Sequence, residues 1–153
     1  MALKLALFVF VVIAAVAAPL SKAQSQTTTG LVGLIRINGT VFCSLNGNIG
    51  ANSTVFPNAL VQLRCGAGNI VLSIGITNGS GVFVILLLDP LGLIAPTVVP
   101  NCKLVVATPL STCKASLPMM GTLQSPLQLV GTTSGLIPVT NFKPAGFVYN
   151  PAT

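Results

Sequence analysis

Apolar and polar residues alternate with a period of two along much of the chain, and helical periodicity is hard to find. In "ALVQLRC" (59–65), Ala59, Val61, Leu63 and Cys65 share one side and Leu60, Gln62 and Arg64 the other. In "IVLSIGIT" (70–77), Ile70, Leu72, Ile74 and Ile76 stand opposite Val71, Ser73, Gly75 and Thr77. Such alternation predicts strands with one face in a core and one in water. "GTVFC" puts Val41 beside Cys43, and "CKLVVAT" puts Cys102, Leu104 and Val106 on one face with Lys103 pointing away. "VFVILLL" (82–88) is apolar throughout, which predicts a central strand covered on both sides.

The segments between these runs carry turn chemistry. "TNGSG" (77–81) joins two strand candidates through Asn-Gly, whose residues both tolerate positive φ, and "SLNGN" (44–48) is a second turn candidate. "DPLGLIAPTVVPN" (89–101) holds three prolines and reads as a loop. Pro109, Pro118, Pro126, Pro138, Pro144 and Pro151 predict short strands and extended segments in the last third. About seven short strands separated by turns predict an all-β, single-domain sandwich or barrel.

The first 23 residues stand outside this pattern. Met1–Lys4 is a short basic start, Leu5–Ala18 is an apolar run of fourteen, and Ser21 and Ala23 are small residues at the −3 and −1 positions of a signal-peptidase site. That order predicts a cleaved secretory signal over 1–23 and a mature domain over 24–153. A bilayer core needs about 20 apolar residues, so the run is too short for an anchor and the mature chain is expected to have no transmembrane segment.

Charge is scarce. With Lys4 and Lys22 removed, Arg36, Arg64, Lys103, Lys114 and Lys143 remain against Asp89 alone, a mature net charge of +4. These cations are scattered singly, unlike the clustered Lys and Arg of a nucleic-acid binder. With no histidine and one acidic residue, the chain offers no carboxylate pair, no base for a Ser or Cys triad, and few of the ligands that zinc or calcium takes. No catalytic residue, cofactor or metal is expected. A Ser–Lys arrangement survives the count, but nothing marks one.

All four cysteines, Cys43, Cys65, Cys102 and Cys113, lie in the mature chain. An even number in an exported chain predicts two disulfides, with three possible pairings. Close pairs of the C-x2-C kind are absent, as is an activating base for a free thiol. Pairing Cys102 with Cys113 would only close a hairpin. A nested scheme would tie early strands to late ones, at roughly 4 kcal/mol per bridge in the chain-entropy model. Spacing alone leaves the choice open.

"VFCSLNGN", "VFPNALVQLRCG", "ITNGSGVF" and "CKLVVATPLSTC", taken together, resemble the phylloplanins of plants, within the wider family of the major olive-pollen allergen and extensin-like secreted proteins. The likeness runs from about Gly39 through Lys114, and more loosely to "GLIPV" and "PAGFVYN". The wider family has six cysteines. Leu45 and Asn46 stand where a C-x-x-C would continue from Cys43. Carried over by order, the resemblance implies the nested pairs Cys43–Cys113 and Cys65–Cys102, and a compact β-barrel or sandwich.

It also implies a secreted, non-enzymatic protein of the leaf surface that inhibits germination of oomycete or fungal spores. Its partner would be the spore wall or membrane surface, reached through apolar patches helped by the five cations. The alternative is an extensin-like cell-wall protein that binds polysaccharide, although Tyr149 as sole tyrosine weakens a cross-linked version. A carrier of small apolar ligands has only the composition behind it. Three sequons, at Asn38, Asn52 and Asn78, are candidate N-glycan acceptors in an exported chain.

Overall fold

The computed structural model describes residues 32–46 and 54–151. The predicted signal segment and Asn52 lie outside them. The strands are β1 (Val32–Thr40), β2 (Leu60–Cys65), β3 (Ile70–Ile76), β4 (Val82–Pro90), β5 (Cys102–Val106), β6 (Thr122–Thr133), β7 (Val139–Pro144) and β8 (Val148–Asn150). A helix, α1 (Ala95–Asn101), precedes β5, and a single 3-10 turn spans Leu110–Thr112. Hydrogen-bonded neighbours run β3-β2-β5-β6-β7-β1-β4, with β8 added to β6. The β1–β7 ladder is parallel, the others antiparallel.

The two ends of this path, β3 and β4, come back together, so the sheet is a nearly closed barrel. The seam has no ladder. Ser73 donates its hydroxyl to Leu86 O at 2.9 Å, and Gly75 comes so near that a Cβ there would lie 2.7 Å from Val84 O. Only glycine fits that approach.

The interior is filled by alternate residues of the strands. Ile35 and Ile37 of β1, Val61 and Leu63 of β2, Phe83 and Ile85 of β4, Leu104 and Val106 of β5, and Phe142 of β7 are all buried. Phe83 meets Phe147 edge to face at 6.5 Å. The disulfides Cys43–Cys113 and Cys65–Cys102 are nested. Cys65 and Cys102 face each other directly in the β2–β5 register, whereas Cys43–Cys113 ties the segment after β1 to the end of the 3-10 turn.

The structure corrects three expectations and decides one point that alternation left open. First, β4 is not covered on both sides. Its inward residues Phe83 and Ile85 are buried, but Val84, Leu86 and Leu88 are 41%, 53% and 64% exposed. Second, alternation left open which face of β3 is inside, and the structure decides it: Gly75 and Thr77 face inward, while Ile74 and Ile76 face water. At the seam the space inside is already taken, since a Cβ on Gly75 would also lie 3.0 Å from Ile85 Cγ1. Thr77 is accommodated because its hydroxyl donates to Phe56 O at 2.6 Å and accepts from Ala59 N at 2.8 Å. A register shift opposite Leu63 and Arg64 leaves Leu72 unpaired, and such a bulge breaks strict alternation.

Third, part of the expected loop 89–101 is helical. Pro96 occupies the first turn of α1, where its missing N–H has no partner to lose, and Pro100 sits in the last. Fourth, the last third is not all short strands, because β6 runs twelve residues through Pro126. The proline is tolerated where β6 ends its pairing with β8, at Gln124, and takes up β7, at Leu127.

Asp89, the chain's one acidic residue, is buried at the end of β4 and holds the start of α1. Its carboxylate accepts from Ile94 N at 2.7 Å and Ala95 N at 3.2 Å. A negative charge at a helix start also opposes the helix dipole favourably. Asp89→Ala strands both N–H groups and is expected to lower stability by about 2–3 kcal/mol. Asp89→Asn, which keeps an acceptor, should lose less. Urea unfolding of the two variants beside the parent checks the order; equal midpoints for all three would contradict the capping role.

Candidate functional site

The surface feature that stands apart is the outside of the seam. Across it, β4 presents Val84, Leu86 and Leu88, and β3 presents Val71, Leu72, Ile74 and Ile76, each 40–64% exposed. Together they amount to on the order of 600 Å² of apolar surface, the upper end of what a typical monomer's largest patch exposes. Scattered exposed leucines need no explanation, but a contiguous patch of this size does. Ser73, between Leu72 and Ile74, turns its hydroxyl to the Leu86 carbonyl.

The strand order places cations on both flanks. On the β4 side, Arg36 of β1 stands directly across from Leu86, and exposed Lys143 lies on β7, the next strand. On the β3 side, Arg64 of β2 stands across from Val71, and Lys103 of β5 lies beyond it, directly across from Arg64. Going round the barrel, the sequence is therefore Lys143, Arg36, apolar seam, Arg64, Lys103. Lys114, following the 3-10 turn, is exposed and lies on none of these strands. Topology thus gathers four cations that lie far apart along the chain.

Arg64 and Lys103 are like charges in directly paired positions, an arrangement that opposes sheet formation. Arg64 is steadied by Gln62, whose Oε1 accepts from Nε at 2.8 Å and Nη2 at 2.6 Å. No carboxylate side chain offsets the pair, because Asp89 is buried and committed to α1. The adjacent Cys65–Cys102 disulfide holds the two strands together against this repulsion.

Elsewhere the chemistry is sparse. A cleft of about 570 Å³ is lined by Thr54, Phe56, Asn58, Thr108, Thr112 and Cys113 among others. Two of its hydroxyls are engaged: Thr108 accepts from Leu60 N and Thr112 donates to Pro109 O. A shallower groove of about 410 Å³ lies between α1 and the β6–β7 ladder and is lined largely by apolar side chains. Neither is lined by an ionisable side chain. Among the described residues no three His, Cys, Asp or Glu side chains come together as a metal site, and no helix is long and apolar enough to cross a membrane.

Of the two described sequons, Asn78 sits at the tip of the β3–β4 hairpin. Its Oδ1 accepts from Ser80 N and Val82 N, at 2.9 and 3.0 Å, so the turn uses the oxygen and not the nitrogen that a glycan would modify. Asn38 is exposed in the middle of β1, directly across from Val84. The apolar wall was missed by sequence reading, although the unbroken run Phe83–Leu88 carried its signal.

A family model described as "Phylloplanin antifungal protein" matches residues 31–153. The phylloplanin of Nicotiana tabacum is 51% identical over 122 residues, covering 74% of this chain and 75% of that protein. Among solved structures, the major plantain pollen allergen Pla l 1 is similar over 79% of this chain and 100% of its own, at 16% identity and a TM-score of 0.37.

Proposed function

The chain belongs to the phylloplanin family, and from that premise we propose that it is a secreted, non-enzymatic defence protein of the plant surface that inhibits germination of oomycete or fungal spores. The observation that carries this reading is the family match across residues 31–153, to a family described as antifungal. The character of the molecule supports it. A barrel with its one carboxylate buried in a structural role has little to offer acid–base chemistry, whereas an outward apolar wall between cations suits adsorption to a surface.

Secretion accounts for the two disulfides, which form and persist in oxidising compartments. N-glycosylation at Asn78 belongs to the same reading, since the exposed hairpin tip has room for it. The competing wall-protein reading gains nothing specific: Tyr149 donates its hydroxyl to Met120 O at 2.7 Å.

The test is a germination assay with the oxidised protein beside its reduced, alkylated form. Inhibition by the oxidised form alone is expected, because an unfolded chain has no seam. Inactivity of both forms against several oomycete and fungal pathogens would refute the defence reading.

A further inference from the structure

We infer that the seam wall of β3 and β4 docks on lipid bilayers that carry anionic headgroups, with the apolar residues entering the interface and the flanking cations binding the headgroup phosphates. This rests on the reading of a surface-acting defence protein and names the surface. The exposed residues Ile74, Ile76, Val84, Leu86 and Leu88 form a stretch with no charge, which is what an interfacial contact needs, because a charge carried toward hydrocarbon is heavily disfavoured. Headgroups lie to the sides of an inserted apolar stretch, and the cations lie to its sides: Arg36 and Lys143 on one flank, Arg64 and Lys103 on the other. Each basic residue near an anionic leaflet adds attraction that falls off within a Debye length.

The paired Arg64 and Lys103 argue further. Two cations face each other across β2 and β5 without a carboxylate partner, a local conflict of the kind that marks a functional position. An anionic headgroup between them would relieve the repulsion. A second copy of the chain fits less well, since pairing the same wall face to face would bring two such sets of cations together with nothing acidic to balance them.

The placement of Asn38 gives the inference an internal check. It faces outward across from Val84, so a glycan there would stand on the docking wall. Asn38 is therefore expected to be bare in the secreted protein, and Asn78, at the hairpin tip, is free to be modified.

Co-sedimentation with vesicles tests the proposal without spores. The secreted, oxidised protein is mixed with phosphatidylcholine vesicles with or without phosphatidylglycerol, at low and high salt. Binding should require the anionic lipid and weaken with salt. Ile74→Ser/Leu86→Ser should reduce it at least tenfold. Arg64→Gln/Lys103→Gln should reduce it several-fold while leaving the urea midpoint unchanged or raised, since it removes a like-charge pair. A midpoint that does not fall guards against mistaking a folding defect for a binding one.

Four results would overturn the proposal: no binding to anionic vesicles, binding that ignores lipid charge, binding unmoved by either double variant, or a glycan mapped to Asn38. Capture by cell-wall polysaccharide, or a stable dimer lost in Ile74→Ser/Leu86→Ser, would do the same if vesicles were not bound. Germination inhibition without vesicle binding would sink this inference alone; vesicle binding without inhibition would sink the defence reading alone.

Discussion

Replacing either cysteine pair with alanine is expected to lower stability by about 4 kcal/mol, and the two losses should be nearly equal. The chain-entropy model gives this magnitude for loops of some tens of residues. The sequence separations are 70 for Cys43–Cys113 and 37 for Cys65–Cys102, which at first sight makes the outer bridge the stronger. Nesting removes that difference. With the inner bridge closed, the unfolded chain's shortest path between Cys43 and Cys113 skips the inner loop and spans 70 less 37, or 33, residues. Each bridge then closes a loop of similar length given the other.

Loss of both would remove about 8 kcal/mol, comparable to the whole stability of many domains. The fully reduced protein should accordingly be unfolded, or nearly so, without denaturant. Urea titrations of the parent, the two pair variants and the reduced form check the order. A pair variant within about 1 kcal/mol of the parent would contradict the account. Arg64 and Lys103 add a detail: because they repel beside Cys65–Cys102, part of the cost of opening that bridge should disappear in Arg64→Gln/Lys103→Gln.

Phe83→Ala and Leu86→Ala should differ sharply although both positions belong to one apolar run. Phe83 is 1% exposed, points into the barrel and packs edge to face on Phe147. Its truncation is expected to lower stability by about 3–5 kcal/mol, the lost transfer energy plus a cavity. Leu86 is 53% exposed on the seam wall, and its truncation should cost about 1 kcal/mol or less, since little surface is returned to water. Similar losses at both positions would mean that β4 is covered on both faces. A paired measurement of vesicle affinity should give the reverse order for Leu86 and for any Phe83 variant that still folds.

Several features of the fold were legible in residue pattern. β2 alternates cleanly from Leu60 to Arg64, and the structure buries Val61 and Leu63 as that alternation requires. The turn expected at "TNGSG" does connect β3 to β4, but Asn78 and Gly79 do not take the positive φ that Asn-Gly favours; Gly81 takes it instead, at 76°. β3 shows where pattern reading stops. Alternation tells which residues share a face, but not which face is inside. The answer depends on β4 closing against Gly75, a contact between strands that no single segment encodes.

The helix 95–101 was hidden by its own prolines, which sit at positions where a short helix tolerates them. The nested disulfide pairing came from family resemblance; the direct opposition of Cys65 and Cys102 is a property of the β2–β5 register. The candidate site was hardest to see. Arg36, Arg64, Lys103 and Lys143 are isolated along the chain and become two flanks only through the strand order. Reading Phe83–Leu88 as a doubly covered strand concealed the apolar wall between them.

The central claim is that this protein acts through the outward wall of its seam rather than through a catalytic centre. Germination inhibition by Ile74→Ser/Leu86→Ser, compared with the parent at matched urea midpoints, tests it most directly. Loss of most of the inhibition with the fold intact is the predicted result. Undiminished inhibition by the folded variant would contradict it and move the activity to another part of the molecule.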